Sequence, residues 1–234
     1  MMRIAMWSGP RNLSTAMMYA FGNRGAGCTA IDEPFYAAYL KATGLDHPLR
    51  NDILRSQPND SDAVIADLAD YDGLQYEKHM THHMLPEFSR DWIADVTNVF
   101  LIRHPARVIA SYEAKRENPT LSDLGFEQQL HLYETYGGRV VDSADIRKDP
   151  KTATQIICEE IGICWDPGML EWPKGPKPFD GVWASHWYGA VHNSTGIAGQ
   201  EGPLPEVSKE NAPLLARALE IYDAMREHRC FSFD

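Results

Sequence analysis

The stretch Trp7-Ser8-Gly9-Pro10-Arg11-Asn12-Leu13-Ser14-Thr15-Ala16-Met17-Met18 constrains the fold more than any other part of the chain. It follows the apolar run Ile4-Ala5-Met6 and passes through a Gly-Pro turn into residues with helical spacing. A buried strand opening through a short loop into a helix is a building unit of parallel α/β sheets. Such a helix start offers backbone N–H groups and the positive end of a dipole, so the loop suits an anion. A Walker A loop is excluded. Counted from Gly9, its Gly, Lys and Ser/Thr positions hold Ser14, Thr15 and Ala16, so the phosphate-reaching lysine and the Mg²⁺-holding hydroxyl are both missing. Arg11 still offers a guanidinium fork. Gly9, Pro10, Arg11, Asn12, Leu13, Ser14 and Thr15 therefore form a candidate loop for a phosphate or mixed anhydride that needs no metal. An ordinary strand-to-helix turn capped by Ser14 fits the same residues.

Hydrophobic periodicity predicts strands over 3–8, 28–32, 74–80, 98–103 and 139–143, and helices over 14–23, 37–42, 62–69, 106–116, 126–136, 151–161 and 211–227. Residues 46–60 read as a polar loop. The alternation implies a mostly parallel sheet with helices on both faces, and a site at the C-terminal ends of its strands. Residues 165–205 differ in texture, being rich in Pro and Gly and carrying Trp165, Trp172, Trp183 and Trp187. They are expected to pack against the sheet and to serve in part as a lid on the acceptor side of one domain spanning 1–234.

The 33 acidic against 22 basic residues give a formal charge of −11. That balance argues against nucleic acid or an anionic membrane as partner. It leaves room for a small anion, because charges beyond about 8 Å are screened. Cys28, Cys158, Cys164 and Cys230 form no C-x-x-C pair, which suits a reducing cytoplasm. No apolar run reaches membrane-spanning length, and the first strand starts too early for a secretory leader.

A second segment, Asn98-Val99-Phe100-Leu101-Ile102-Arg103-His104-Pro105, ends a strand in Arg103 and enters a helix carrying Ser111 eight residues later. Taken alone, it could be a strand-end arginine paired with a carboxylate. Together the two segments resemble the P-loop sulfotransferases, which use 3′-phosphoadenosine 5′-phosphosulfate. In that family a loop of the form P-[KR]-S-G-[ST]-[ST] holds the 5′-phosphosulfate, and Pro10 to Thr15 stands in its place. An Arg and a helix Ser with this spacing hold the 3′-phosphate, which implies that role for Arg103 and Ser111. Ser143-Ala144-Asp145-Ile146, Asp149-Pro150 and Ile161-Gly162 resemble a further family segment. The resemblance runs from residue 3 to about 165 and implies a three-layer, P-loop NTPase-like α/β fold. Two features depart from the pattern. Asn12-Leu13 replaces Ser-Gly, and the family's Arg-Lys-Gly lid has only His192-Asn193-Ser194-Thr195-Gly196 as a nearest counterpart.

Sulfuryl transfer needs positioning, charge on the leaving oxygens and a base for the acceptor proton. Arg11 is the candidate for charge neutralisation, because a guanidinium does not readily give up its proton. Glu33, in Asp32-Glu33-Pro34, and His82 are the leading candidates for the base, followed by His79. A surface carboxylate pairing with an arginine is the plainer account of Glu33. Zinc on His79, His82 and His83 is disfavoured, because no Cys or carboxylate sits at supporting spacing. The expected partners are a small hydroxyl or amine acceptor and a second copy of the chain in a homodimer, with no metal. A kinase-like enzyme and a non-catalytic nucleotide binder are the competing functions.

Overall fold

The computed structural model describes residues 1–25, 27–115 and 118–233. Among them five strands, β1 (Met2–Ser8), β2 (Thr29–Asp32), β3 (Leu74–Met80), β4 (Thr97–Ile102) and β5 (Arg139–Asp142), form a parallel sheet in the order β2-β3-β1-β4-β5. The helices are α1 (Ser14–Gly22), α2 (Tyr36–Thr43), α3 (Arg50–Ser56), α4 (Ser61–Ala69), α5 (Pro105–Glu113), α6 (Leu121–Leu124), α7 (Phe126–Tyr136), α8 (Ser143–Lys148), α9 (Pro150–Glu160), α10 (Ala184–Trp187), α11 (Gly189–His192) and α12 (Ala212–Arg226).

β1 lies at the centre and is buried on both faces, as a near-continuous apolar run requires in a parallel sheet. The strand period sends Ile4 and Met6 to one layer, with Met17, Met18 and Phe21 of α1 and Ile157 of α9. Ala5 and Trp7 go to the other layer, with Val108 and Ile109 of α5, Leu132 of α7 and Ile221 of α12. The chain leaving β1 therefore turns towards one face and the chain leaving neighbouring β4 towards the other. A crevice opens where two such connections diverge, which is where ligands of open parallel sheets bind.

The predicted polar loop over 46–60 contains α3, whose single fully buried anchor is Ile53. Its α-helical start follows Leu49 at φ 63°, a conformation with no composition signature. The strand expected from residue 28 starts at Thr29, and Arg103 lies just beyond β4. Within the described residues α5 ends at Glu113, and the expected last helical residue, Arg116, lies outside them. Residues 165–205 contain α10 and α11 and seat Trp172 and Trp183 in the α1-side layer. No helix among the described residues is long and apolar enough to cross a membrane.

At Gly9 the loop passes close against Leu124. A Cβ there would lie 2.3 Å from the carbonyl oxygen of Leu124. Gly9→Ala is expected to displace the loop and to lower stability by about 1–3 kcal/mol, the usual cost of overpacking, which urea unfolding followed by fluorescence measures.

Candidate active site

The loop after β1 is fixed by its own side chains. Asn12 donates from Nδ2 to the Leu101 carbonyl of β4 (2.8 Å) and accepts from the Leu13 amide (2.7 Å). Asn12 thus ties loop to strand, which accounts for an asparagine in that position. Arg11 adopts φ 56°, in the left-handed region where a side chain costs about 1–3 kcal/mol. Its guanidinium lies between two rings, 5.1 Å from Tyr112 of α5 and 5.2 Å from Trp187 of α10. Such cation–π contacts hold the guanidinium in place beside the loop.

Glu33 is a second residue of the site in the left-handed region, at φ 40°. Its amide donates to the Lys78 carbonyl (2.9 Å), and its own carbonyl accepts from Tyr36 (3.0 Å) and from Gln57 (3.3 Å). Strain of this kind persists only where the surroundings over-determine it. The side chain enters a buried knot. Lys78 Nζ donates to Glu33 Oε1, to Asp32 Oδ1 (3.1 Å) and to Tyr188 Oη (2.8 Å). The Tyr188 hydroxyl also receives Trp183 Nε1 (3.1 Å) and donates to the Asp32 carboxylate (2.8 Å). Burial pushes the Glu33 carboxyl up, Asp32 adds to the shift, and Lys78 opposes it. Burial works against the Lys78 charge, but Asp32 and Glu33 outweigh it and hold the ammonium above its ordinary value. A carboxylate raised towards neutrality suits proton transfer.

These groups open on a cavity of about 460 Å³. From the loop it is lined by Pro10, Arg11, Asn12, Ser14 and Thr15, and from the far side by Glu33, Lys78, His82, His83 and Tyr188. Burial, with His47 close by, pushes the His82 imidazole down to about 4. His83 is also driven well below its ordinary value, first by burial and then by His82. Its ring stacks on Tyr36 (4.6 Å) and Tyr39 (4.7 Å). Among the described residues no group of His, Cys, Asp and Glu has the arrangement of a metal site.

Of the residues singled out from sequence, Pro10, Arg11, Asn12, Ser14, Thr15, Glu33 and His82 meet at this cavity. Gly9 and Leu13 lie behind the loop, Gly9 buried and Leu13 against the α1-side core. His79 is turned away. It occupies the opposite face of β3 from Lys78, bonds Glu77 Oε2 (2.9 Å) and stacks on Trp7 (4.4 Å). Arg103 donates to the Arg11 carbonyl and so adjoins the loop. Ser111 is half-buried on α5, one turn beyond Arg107. Sequence reading missed Lys78, Tyr188, Arg107, Arg147 and Glu201. Only Arg107 left a sequence signal, since it stands four residues before Ser111 and shares its helix face.

Residues 2–229 match the sulfotransferase domain family, and the chain belongs to that family. It is 33% identical over 233 residues to branched-chain-amino-acid aminotransferase-like protein 1 of Arabidopsis thaliana and 30% identical to protein 2 of the same name. These alignments cover 96% of this chain but 42% and 41% of the two plant proteins, so the chain spans about two-fifths of their length. Among solved structures, the sulfotransferase domain from the curacin biosynthetic pathway superposes with a TM-score of 0.55 at 15% identity, covering 93% of this chain and 96% of that one. Mouse sulfotransferase SULT7A1 complexed with PAP gives 0.57 at 11% identity, covering 97% and 89%. At such identities the likeness concerns the fold.

Two outcomes follow from the buried charges. Lys78→Met leaves Asp32 and Glu33 facing each other without a cation, and should cost about 3–5 kcal/mol at pH 8. The Glu33 carboxyl is held above its ordinary value, so the stability it contributes is lost as pH rises through its folded-state pKa. Urea midpoints should therefore show a smaller deficit at pH 5 than at pH 8. His82 is held down to about 4, so the folded chain binds fewer protons than the unfolded one. Stability should then fall as pH drops from about 6.5 towards 4, and His82→Gln should flatten that limb of a Tm-against-pH curve.

Proposed function

We propose that the chain transfers a sulfuryl group from 3′-phosphoadenosine 5′-phosphosulfate to a hydroxyl or amine of a small acceptor. The observation that carries this reading is the hydrogen bond from Arg103 to the Arg11 carbonyl, which joins two cationic groups into one crevice. A donor phosphorylated at both ends needs cations at two neighbouring points. Arg11 with the start of α1 offers one, and Arg103 with Arg107 and Arg147 offers the other. The mouse sulfotransferase that shares this fold was crystallised in complex with PAP, which supports a nucleotide of this type.

When bound, the donor supplies the sulfuryl group and a phosphate leaving group. Pro10, Arg11, Asn12, Ser14 and Thr15 would hold its 5′ end, with Gly9 and Leu13 shaping the loop behind them. Arg103 and Ser111 would hold its 3′-phosphate. Arg11 stabilises negative charge at the leaving oxygens and keeps its own proton. Glu33 accepts the acceptor proton, while Lys78 and Tyr188 keep its Oε1 in place and leave Oε2 for that task. His82 and His83, held neutral, line the acceptor side with Tyr36, Tyr39 and Trp187, and His79 stays on the far face of β3, bonded to Glu77 and stacked on Trp7. Residues 165–205 supply Trp187 and Tyr188 as a wall of the same domain. No step calls for a metal, and a reducing cytoplasm suits the four free thiols.

Thermal-shift titration tests the donor. Adenosine 3′,5′-bisphosphate at 100 times its Kd should add about 2.7 kcal/mol of stability. Mg-ATP should add little, and Arg103→Ala should remove the response. A larger shift with Mg-ATP would reject the assignment in favour of a kinase-like enzyme. Turnover on a panel of phenols, alcohols and amines should persist in EDTA. Glu33→Gln should lower kcat by about 100-fold or more with nucleotide affinity within about twofold, the signature of a lost general base. Stabilisation by the bisphosphate with no turnover on any acceptor would instead mark a non-catalytic nucleotide binder.

A further inference from the structure

Residues 197–208 cross the mouth of the arginine cluster without helix or strand. From 198 to 204 every residue is exposed except Glu201. Its carboxylate enters the focus of three guanidiniums. Arg103 Nη2 and Arg147 Nη1 (3.2 Å) donate to Oε1, and Arg107 Nε lies 3.1 Å from Oε2. All four side chains are largely enclosed, Glu201 at 12% exposure. The arginines are aimed by backbone carbonyls as well, Arg103 by Arg11, Arg107 by Gly202 and Arg147 by Gly199 (2.9 Å).

One carboxylate serves this cluster poorly. Three positive charges face a single negative one, and Glu201 Oε2 is buried without accepting a hydrogen bond. Burial lowers the Arg147 pKa; Glu201 works against that, and Arg103 and Arg107 add to it. A phosphate monoester carries about −1.5 to −2 charges at neutral pH and three acceptor oxygens. It would match both the surplus charge and the spare donors.

We propose that Glu201 is a specificity-determining residue of this site: a tethered carboxylate that stops the three-arginine pocket and yields only to the terminal phosphate of a bound nucleotide. The proposal rests on the donor reading above and adds to it the two further arginines and the competitor. Being tethered, Glu201 presents itself at an effective concentration that free anions in the cell do not match. A phosphate already anchored through the 5′ end is tethered too, and carries the larger charge. Free phosphate and monocarboxylates are therefore kept out while the nucleotide is admitted, and the 197–208 strap lifts as it binds.

The test compares wild type with Glu201→Gln and Glu201→Ala by isothermal titration, using adenosine 3′,5′-bisphosphate, adenosine 5′-monophosphate and inorganic phosphate. Both variants should bind the bisphosphate and inorganic phosphate about tenfold more tightly, the worth of one displaced charge-assisted contact. The 5′-monophosphate should stay within about twofold, because it has nothing to place among the arginines. Hydrogen exchange in 197–208 should rise in both variants, and in wild type on adding the bisphosphate. Unchanged or weaker inorganic-phosphate binding in both variants overturns the proposal, as does an equal gain for the two nucleotides. If no variant binds a nucleotide, the donor reading fails, and the phosphate arm still decides whether Glu201 is a stopper.

Discussion

The site depends on one ammonium group placed between two carboxylates. β2 ends at Asp32 and Glu33 follows it, and both side chains turn into the protein, where adjacent negative charges without a partner would be severely destabilising. Lys78, opposite Asp32 in the β2–β3 register, makes their burial tolerable. The same ammonium recruits the Tyr188 hydroxyl, and Tyr188 brings the indole of Trp183 and the segment 165–205 onto the sheet. Edge strand, candidate base and outer wall are thereby held by one electrostatic knot. The left-handed backbone at Glu33 is held by the hydrogen bonds around it.

A second constraint comes from the sheet. β1 is apolar on both faces from Ile4 to Trp7, so the polar groups it brings to the cavity come from the loop beyond Ser8. That loop lies where the connections after β1 and β4 part company, and Asn12 and Arg103 bridge the gap from opposite sides. The bulk of Asn12-Leu13, relative to a Ser-Gly loop, finds its use here. The amide reaches Leu101, and the leucine closes the core beneath.

The parts of the site that follow one another along the chain were legible in the sequence. The strand-loop-helix at 7–18 and the strand-end Arg103 announced themselves by order and spacing, and Glu33 by its place after the second strand. What sequence could not supply were partners brought together by crossovers. Lys78 and Tyr188 are 110 positions apart, and Arg103 and Glu201 are 98 apart. His79 shows a different limit. In β3 consecutive side chains face opposite layers, so a one-residue uncertainty of register decides whether lysine or histidine meets the cavity. The helix hidden in residues 46–60 was masked by its polar surface, since Ile53 is its one fully buried residue and Leu54 adds only partial burial.

Trp187 and Tyr188 are consecutive residues with different duties. The indole flanks the Arg11 guanidinium, and the phenol is bonded into the acid pair. One peptide unit, with Cα atoms about 3.8 Å apart, therefore spans from the cationic loop to the carboxylates. It works as a calliper, fixing the gap between the arginine of the loop and the buried acid pair. The jaws of that calliper belong to a stretch outside the sheet, so the spacing of loop and carboxylates is set in part by residues that the strands do not carry.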